Sequence, residues 1–385
     1  MSRVSVEPSI LDWAVSRSGR DLASLGKKFT KLEDWLSGGV HPTLKQLEAF
    51  AKATHVPLGY LFLKSPPEEK LPVPDFRTVA NQEMRRPSPD LVDTIHEMQR
   101  RQNWMRDYML DLGAYPLPFI GSATTTTPIK ELAARIRETL NLEPLWARKH
   151  STWESALDAF KSAIQRARIL VFSNGIVGNN THRALDAQEF RGFVLSDDLA
   201  PLIFLNNADA KSARMFTLAH ELVHLWLGEN ALFNLADLMP FDTGIEVYCN
   251  KVAGEFLIPA DLLADEWSRA ARQDDPYNRL ARYFKVSSLV VARRCLDLGL
   301  IDREEYLAHY RQSIERFEQE KEEREGGGNY YATAGSRMDP NYANAIHHAV
   351  KSGTLLPTHA QRLTGMSGRS FDKYFQAEGW KGRGK

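Results

Sequence analysis

Two cysteines, Cys249 and Cys295, are all that 385 residues contain, which excludes a disulfide framework and an all-thiolate zinc site. Any metal ion held here must rest on histidine and carboxylate. No run of about 18 apolar residues is present, and the opening "MSRVSVEPSILDW" lacks the basic end and apolar stretch of a secretory leader. The expectation is a cytoplasmic location with no membrane partner. Net charge is missing too, since 49 Lys+Arg balance 49 Asp+Glu. That balance hides an asymmetry: residues 1–70 carry 10 Lys/Arg against 8 Asp/Glu, residues 329–385 carry 8 against 3, and the middle is acidic. Basic excesses this small allow DNA contact at the ends without arguing for it.

What is present suits a folded chain of two or three domains, with 43% hydrophobic and 10% aromatic residues. Short helical segments crowd residues 9–63. The last opens on Thr43-x-x-Gln46, a capping box, and carries Leu44, Leu47, Phe50 and Ala51 at helical spacing. Several short helices in succession predict an all-α helix-turn-helix domain over 1–70. A proline-rich tether follows at 71–87, then a helical lead-in at 88–165. Strand-like runs at 168–177, 190–197 and 200–207 predict a small mixed sheet. Two helices come next, one over residues 210–227 with Asp209 as its cap and Gly228 past its end, the other over 244–257, stopped by Pro259. A charged helix and glycine hinge fill 311–328, and helical periodicity returns in the 329–385 tail. The fold class is α+β.

Inside the first of those two helices lies "TLAHELVHLWLG". His220 and His224, four apart, share a helix face and can each give one ring nitrogen to a single ion. Glu221, turned by about 100°, can reach a water on that ion instead of the ion itself. The surrounding residues Phe216, Leu218, Ala219, Leu222, Val223, Leu225, Trp226 and Leu227 are apolar, so the His-Glu-His strip is polar on a buried element and needs a partner. A catalytic zinc ion needs a third protein ligand and an open fourth position. Glu246 on the next helix offers one, and Asn250, four residues on, can orient a ligating histidine. Two readings compete. Thr243-x-x-Glu246 also fits a capping box, and Glu255 is the rival third ligand.

"FTLAHELVHLWLG" followed by "EVYCNKVAGEFLIP" resembles the ImmA/IrrE family of zinc metallopeptidases, and the Glu-x-x-x-Asn helix is also similar to the Glu-x-x-x-Asp ligand helix of thermolysin-like enzymes. Residues 22–63 resemble the XRE-type helix-turn-helix that some family members carry. The resemblance implies a zincin-like metallopeptidase domain over 166–310, Zn2+ held by His220, His224 and Glu246, and Glu221 as catalytic base. It also implies a protein substrate, a helix-turn-helix repressor or antitoxin encoded nearby, whose cleavage alters gene expression. The strand around Phe204, Leu205 and Asn206 is the expected edge for an extended substrate, and Tyr248 is a further guess at an oxyanion stabiliser. The rival function is a DNA-binding regulator whose zincin-like domain senses a ligand and no longer cuts. Lys31, Glu33 and Asp34 on the expected recognition helix, residues 30–36, oppose tight phosphate binding.

Overall fold

The computed structural model describes residues 3–68, 73, 87–233, 244–323 and 337–366, with Gly368, Ser370, Phe371 and Tyr374 beyond them. The glycine hinge, Thr243 and, apart from Val73 and Pro87, the proline-rich tether lie outside the described residues. Two compact units are present, Met1–Phe76 with Glu83–His96, and Arg77–Gln82 with Glu97–Lys385.

In the first unit α1 (Pro8–Arg17), α2 (Leu22–Lys28), α3 (Leu32–Leu36) and α4 (Leu44–Thr54) are followed by a 3-10 turn, Leu58–Phe62. The capping box forms as the sequence predicts: the Thr43 N–H donates to Gln46 Oε1 at 2.8 Å, and the Gln46 N–H donates to the Thr43 hydroxyl at 3.4 Å. Short helices cannot hold themselves in water. Here they are held by one core, in which Ile10, Leu11, Leu25, Leu32, Leu47 and Phe50 are buried and the rings of Phe29, Trp35 and Phe50 meet at 5.6–6.2 Å. Leu32 and Trp35 turn α3 inward, leaving Lys31, Glu33 and Asp34 exposed. Leu44, expected on the inner face, is exposed at the helix start.

The second unit is built on a four-stranded sheet. In chain order it contains α5 (Pro89–Asp111, whose range crosses the division at residue 96), α6 (Ile129–Leu140), α7 (Trp153–Arg166), β1 (Leu170–Asn174), β2 (Gly192–Leu195), β3 (Leu202–Asn206), α8 (Lys211–Leu227), β4 (Ala231–Phe233), α9 (Ile245–Leu257), α10 (Ala260–Ala270), α11 (Pro276–Phe284), α12 (Ser288–Asp297) and α13 (Arg303–Glu323). The tail adds α14 (Pro340–Lys351) and α15 (Pro357–Thr364). Strand order is β1-β3-β2-β4, with β1 parallel to β3, and β2 antiparallel to both β3 and β4. Both faces are covered, so the strands read as apolar runs without alternation. Val171, Val194, Ile203 and Leu205 join the core that contains α8 and α9. Phe193 and Phe204 stack 5.0 Å apart on the other face, where Arg101 of α5 lies over Phe172 at 5.0 Å and Tyr342 of α14 meets the same ring at 5.3 Å.

Three expectations change. β3 lies inside the sheet, bonded on both sides, so Phe204, Leu205 and Asn206 offer no edge to a substrate. Asn206 is spent locally, donating to Phe190 O at 3.0 Å and accepting from the Ala208 N–H at 2.9 Å. Asp209 does not cap α8: Ala210 is the N-cap, without a side-chain bond, while Asp209 is buried against Arg191 at 3.5 Å. Burial pushes its carboxyl upward and the guanidinium opposes the shift. Finally, α6 and α7 are no mere lead-in. Leu132, Ala133, Ile136, Phe160 and Ile164 belong to the same core as the α8 and α9 side chains.

The tail docks through one carboxylate. Asp339, fully buried, accepts from the Val171 N–H on β1 and from Gln165 Nε2, both at 2.9 Å. It also caps α14 by accepting from the N–H groups of Asn341 and Tyr342 at 2.8 and 3.0 Å. Burial pushes this carboxyl up to about 6 even against four donors. A free strand edge and a helix start are thus satisfied together.

Candidate metal centre

α8 can carry a polar strip through the core because its other faces are apolar and its C-terminus is closed by Gly228, left-handed at φ 73°. His220 Nε2 and His224 Nε2 stand 3.1 Å apart. α9 brings Glu246 Oε2 to 3.0 Å from His220 Nε2 and 3.5 Å from His224 Nε2. Two ligands on a tetrahedral zinc ion at about 2.0–2.1 Å would be roughly 3.3 Å apart, so these separations suit such an ion. The donor chemistry agrees. Asn250 Oδ1 lies 2.9 Å from His220 Nδ1, and an amide oxygen only accepts, so the proton sits on Nδ1 and the Nε2 lone pair points at a carboxylate and a second imidazole. Lone pairs converging in a buried space call for a cation.

Burial makes the site one-sided. His220, Glu221 and His224 are sealed, while the Glu246 side chain keeps 26% exposure and marks the open side. Burial pushes the Glu246 carboxyl up, but its contacts with His220 and His224 outweigh burial and leave the group below its ordinary range. Burial is the larger influence on His224 and lowers it, keeping the ring neutral as a ligand must be.

Glu255 and Tyr248 both have other partners. Glu255 is buried on α9 in a close ion pair with Arg294 of α12 and accepts the Ala260 N–H at 3.2 Å, so it ties the helix to its neighbours. Tyr248 cannot stabilise an oxyanion here, because its hydroxyl donates to Thr127 O at 2.7 Å. The capping-box alternative for Glu246 involves Thr243, outside the described residues. Glu246 Oε2 stands between two imidazoles, in a group of three donors that could hold a metal ion.

Three neighbours of the site went unread in the sequence. Phe233 of β4 lays its ring 4.4 Å from that of His220. Cys249 places its sulfur 3.8 Å from His224 Nδ1. Gly192 of β2 lets α8 come close: a Cβ there would stand 2.7 Å from Thr217 Cγ2, 3.0 Å from Phe204 O and 3.4 Å from Glu221 Cγ. A lone glycine inside a strand signals such an approach, and "FRGFVLSD" contained it. Gly192→Ala is expected to destabilise the chain by about 1–3 kcal/mol through overpacking. Because Thr217, which the new atom would displace, lies one helix turn before Glu221, the change should also cut catalytic efficiency by about tenfold or more. Denaturant midpoints and kcat/KM check this, and a variant normal in both would show that the spacing is not tight.

Among the described residues no helix is long and apolar enough to cross a membrane. Residues 165–296 match the family described as the IrrE N-terminal-like domain, a peptidase family, and the match runs from the end of α7 to the penultimate residue of α12, taking in His220, Glu221, His224, Glu246 and Asn250. No curated protein matches the chain.

Proposed function

We propose, from the premise that residues 165–296 are a metallopeptidase domain of the ImmA/IrrE family, that the chain is a zinc-dependent endopeptidase acting on a regulatory protein. The observation that carries this is Glu221. It sits sealed in the core, one residue from a ligand yet outside the three converging donors, which is of no use to a structural metal site. A bound zinc ion would supply Lewis acidity, polarising a peptide carbonyl and making a water acidic. Glu221 takes the proton from the attacking water and passes it to the leaving amine. Asn250 holds His220 in the ligating tautomer throughout. In place of β3, the substrate edge is β4, an outer strand of the sheet and the one whose Phe233 lies against His220. An extended chain pairing there is held beside the metal face.

The substrate class we favour is a helix-turn-helix repressor or antitoxin encoded nearby. Incubating it with the full-length protein and zinc should give two fragments with one new terminus, detected by mass spectrometry and abolished by a chelator. An intact partner under saturating zinc would turn the reading towards the non-cleaving regulator.

The first unit we read as an XRE-type helix-turn-helix that binds this protein substrate instead of DNA. Exposed Glu33 and Asp34 beside Lys31 repel phosphate but suit a basic, DNA-reading surface. Reversing both acids, Glu33→Lys with Asp34→Lys, is expected to slow cleavage of the repressor by about tenfold while an unfolded peptide is cut as before. Tight, sequence-selective DNA binding by the unaltered protein at physiological salt would defeat this reading.

A further inference from the structure

We propose that Cys249 is a positioning residue of the metal centre, its sulfur accepting the Nδ1–H of His224 and so fixing the ring with Nε2 towards the ion. This rests on the proposed metallopeptidase reading. The residues of one turn of α9 do three jobs: Glu246 is the ligand, and positions three and four further on, Cys249 and Asn250, lie on the same helix face. Asn250 Oδ1 meets His220 Nδ1 at 2.9 Å, and Cys249 Sγ meets His224 Nδ1 at 3.8 Å, a reach that suits the larger sulfur atom.

Each ring must carry its proton on the nitrogen away from the ion, and in a sealed core that proton needs an acceptor. For His224, with 1% exposure, the sulfur is the only side-chain atom among the described residues bonded to that nitrogen. Cys249 is not a fourth ligand, since it faces the far side of the ring and lies outside the converging donors. The side marked open by Glu246 is left to the substrate. A sulfur acceptor is weaker than an amide oxygen, so the two imidazoles are held unequally, His220 firmly and His224 by a soft contact.

The alternative is that Cys249 merely fills the core that also holds Val252, Ala253 and Phe256. Metal affinity separates the two. Stripped full-length protein, wild type, Cys249→Ala, Cys249→Ser and His220→Ala, would be titrated with Zn2+ against a competing chelator and loaded with Co2+ for its visible spectrum. Cys249→Ala should bind zinc about tenfold more weakly and shift the Co2+ bands, as outer partners of ligating histidines do when removed. Cys249→Ser, which leaves a similar space but restores an acceptor, should stay within about threefold of wild type. The proposal is overturned if Cys249→Ala binds as tightly as wild type, or if Ala and Ser lose affinity equally, which is the mark of a lost packing atom. Failure of the metal centre itself looks different: His220→Ala would then bind zinc as the wild type does.

Discussion

Glu221→Gln is expected to lower cleavage by about 10²–10⁴-fold, the worth of a positioned proton acceptor, while the zinc content per chain stays at the wild-type value. The amide keeps the volume and reach of the carboxylate, so the sealed space between α8 and β2 around Gly192 is filled as before. Only the ability to take a proton is gone. Because His220, His224 and Glu246 are untouched, the three donors within 4.8 Å of one another still hold the ion. Elemental analysis beside a single-turnover cleavage assay checks both halves. Should the variant emptied of its proton acceptor also be emptied of metal, as His220→Ala is expected to be, Glu221 would be a ligand. The chemistry proposed for it would then be wrong.

How much of this could be read beforehand depended on how local each feature is. Helical spacing is local, so the metal face of α8, its glycine stop and the capping box of α4 were legible from single segments. Glu246 against Glu255 was not. Both lie on α9, and what separates them is Arg294, far along the chain on α12, which claims Glu255. Strand order is equally non-local. The apolar run of β3 looks the same at an edge or in the middle, and β4, with three residues, is too short to show a period. Asp209 has the chemistry of a cap, yet Arg191, eighteen residues earlier, draws it into a buried pair. Tyr248 looked free for catalysis until the loop before α6 supplied Thr127 O. The weight of Asp339 came from a bond to β1, 168 residues earlier in the chain.

The two glutamates of α9 are expected to fail in opposite ways. Glu246→Ala removes one of three ligands. A zinc site worth roughly 10–16 kcal/mol over four ligands gives about 3 kcal/mol for each, so affinity should fall on the order of a hundredfold. The apo fold should change little, since Glu246 is partly exposed and its ion-pair partners among the described residues are the two histidines. Glu255→Ala should leave zinc affinity within about threefold of wild type. Its cost lies in the fold, because the Arg294 guanidinium, buried at 5% exposure, loses its carboxylate partner, and an uncompensated buried charge costs about 3–5 kcal/mol. Burial already lowers Arg294 from its ordinary value, with Glu255 the main opposing charge, which fits that dependence. Zinc titration and denaturant unfolding on the same pair of variants give four numbers, and the expected pattern is a loss in one column for each. A metal-free but stable Glu255→Ala would move the third ligand to Glu255, and a fully zinc-loaded Glu246→Ala would remove it from Glu246.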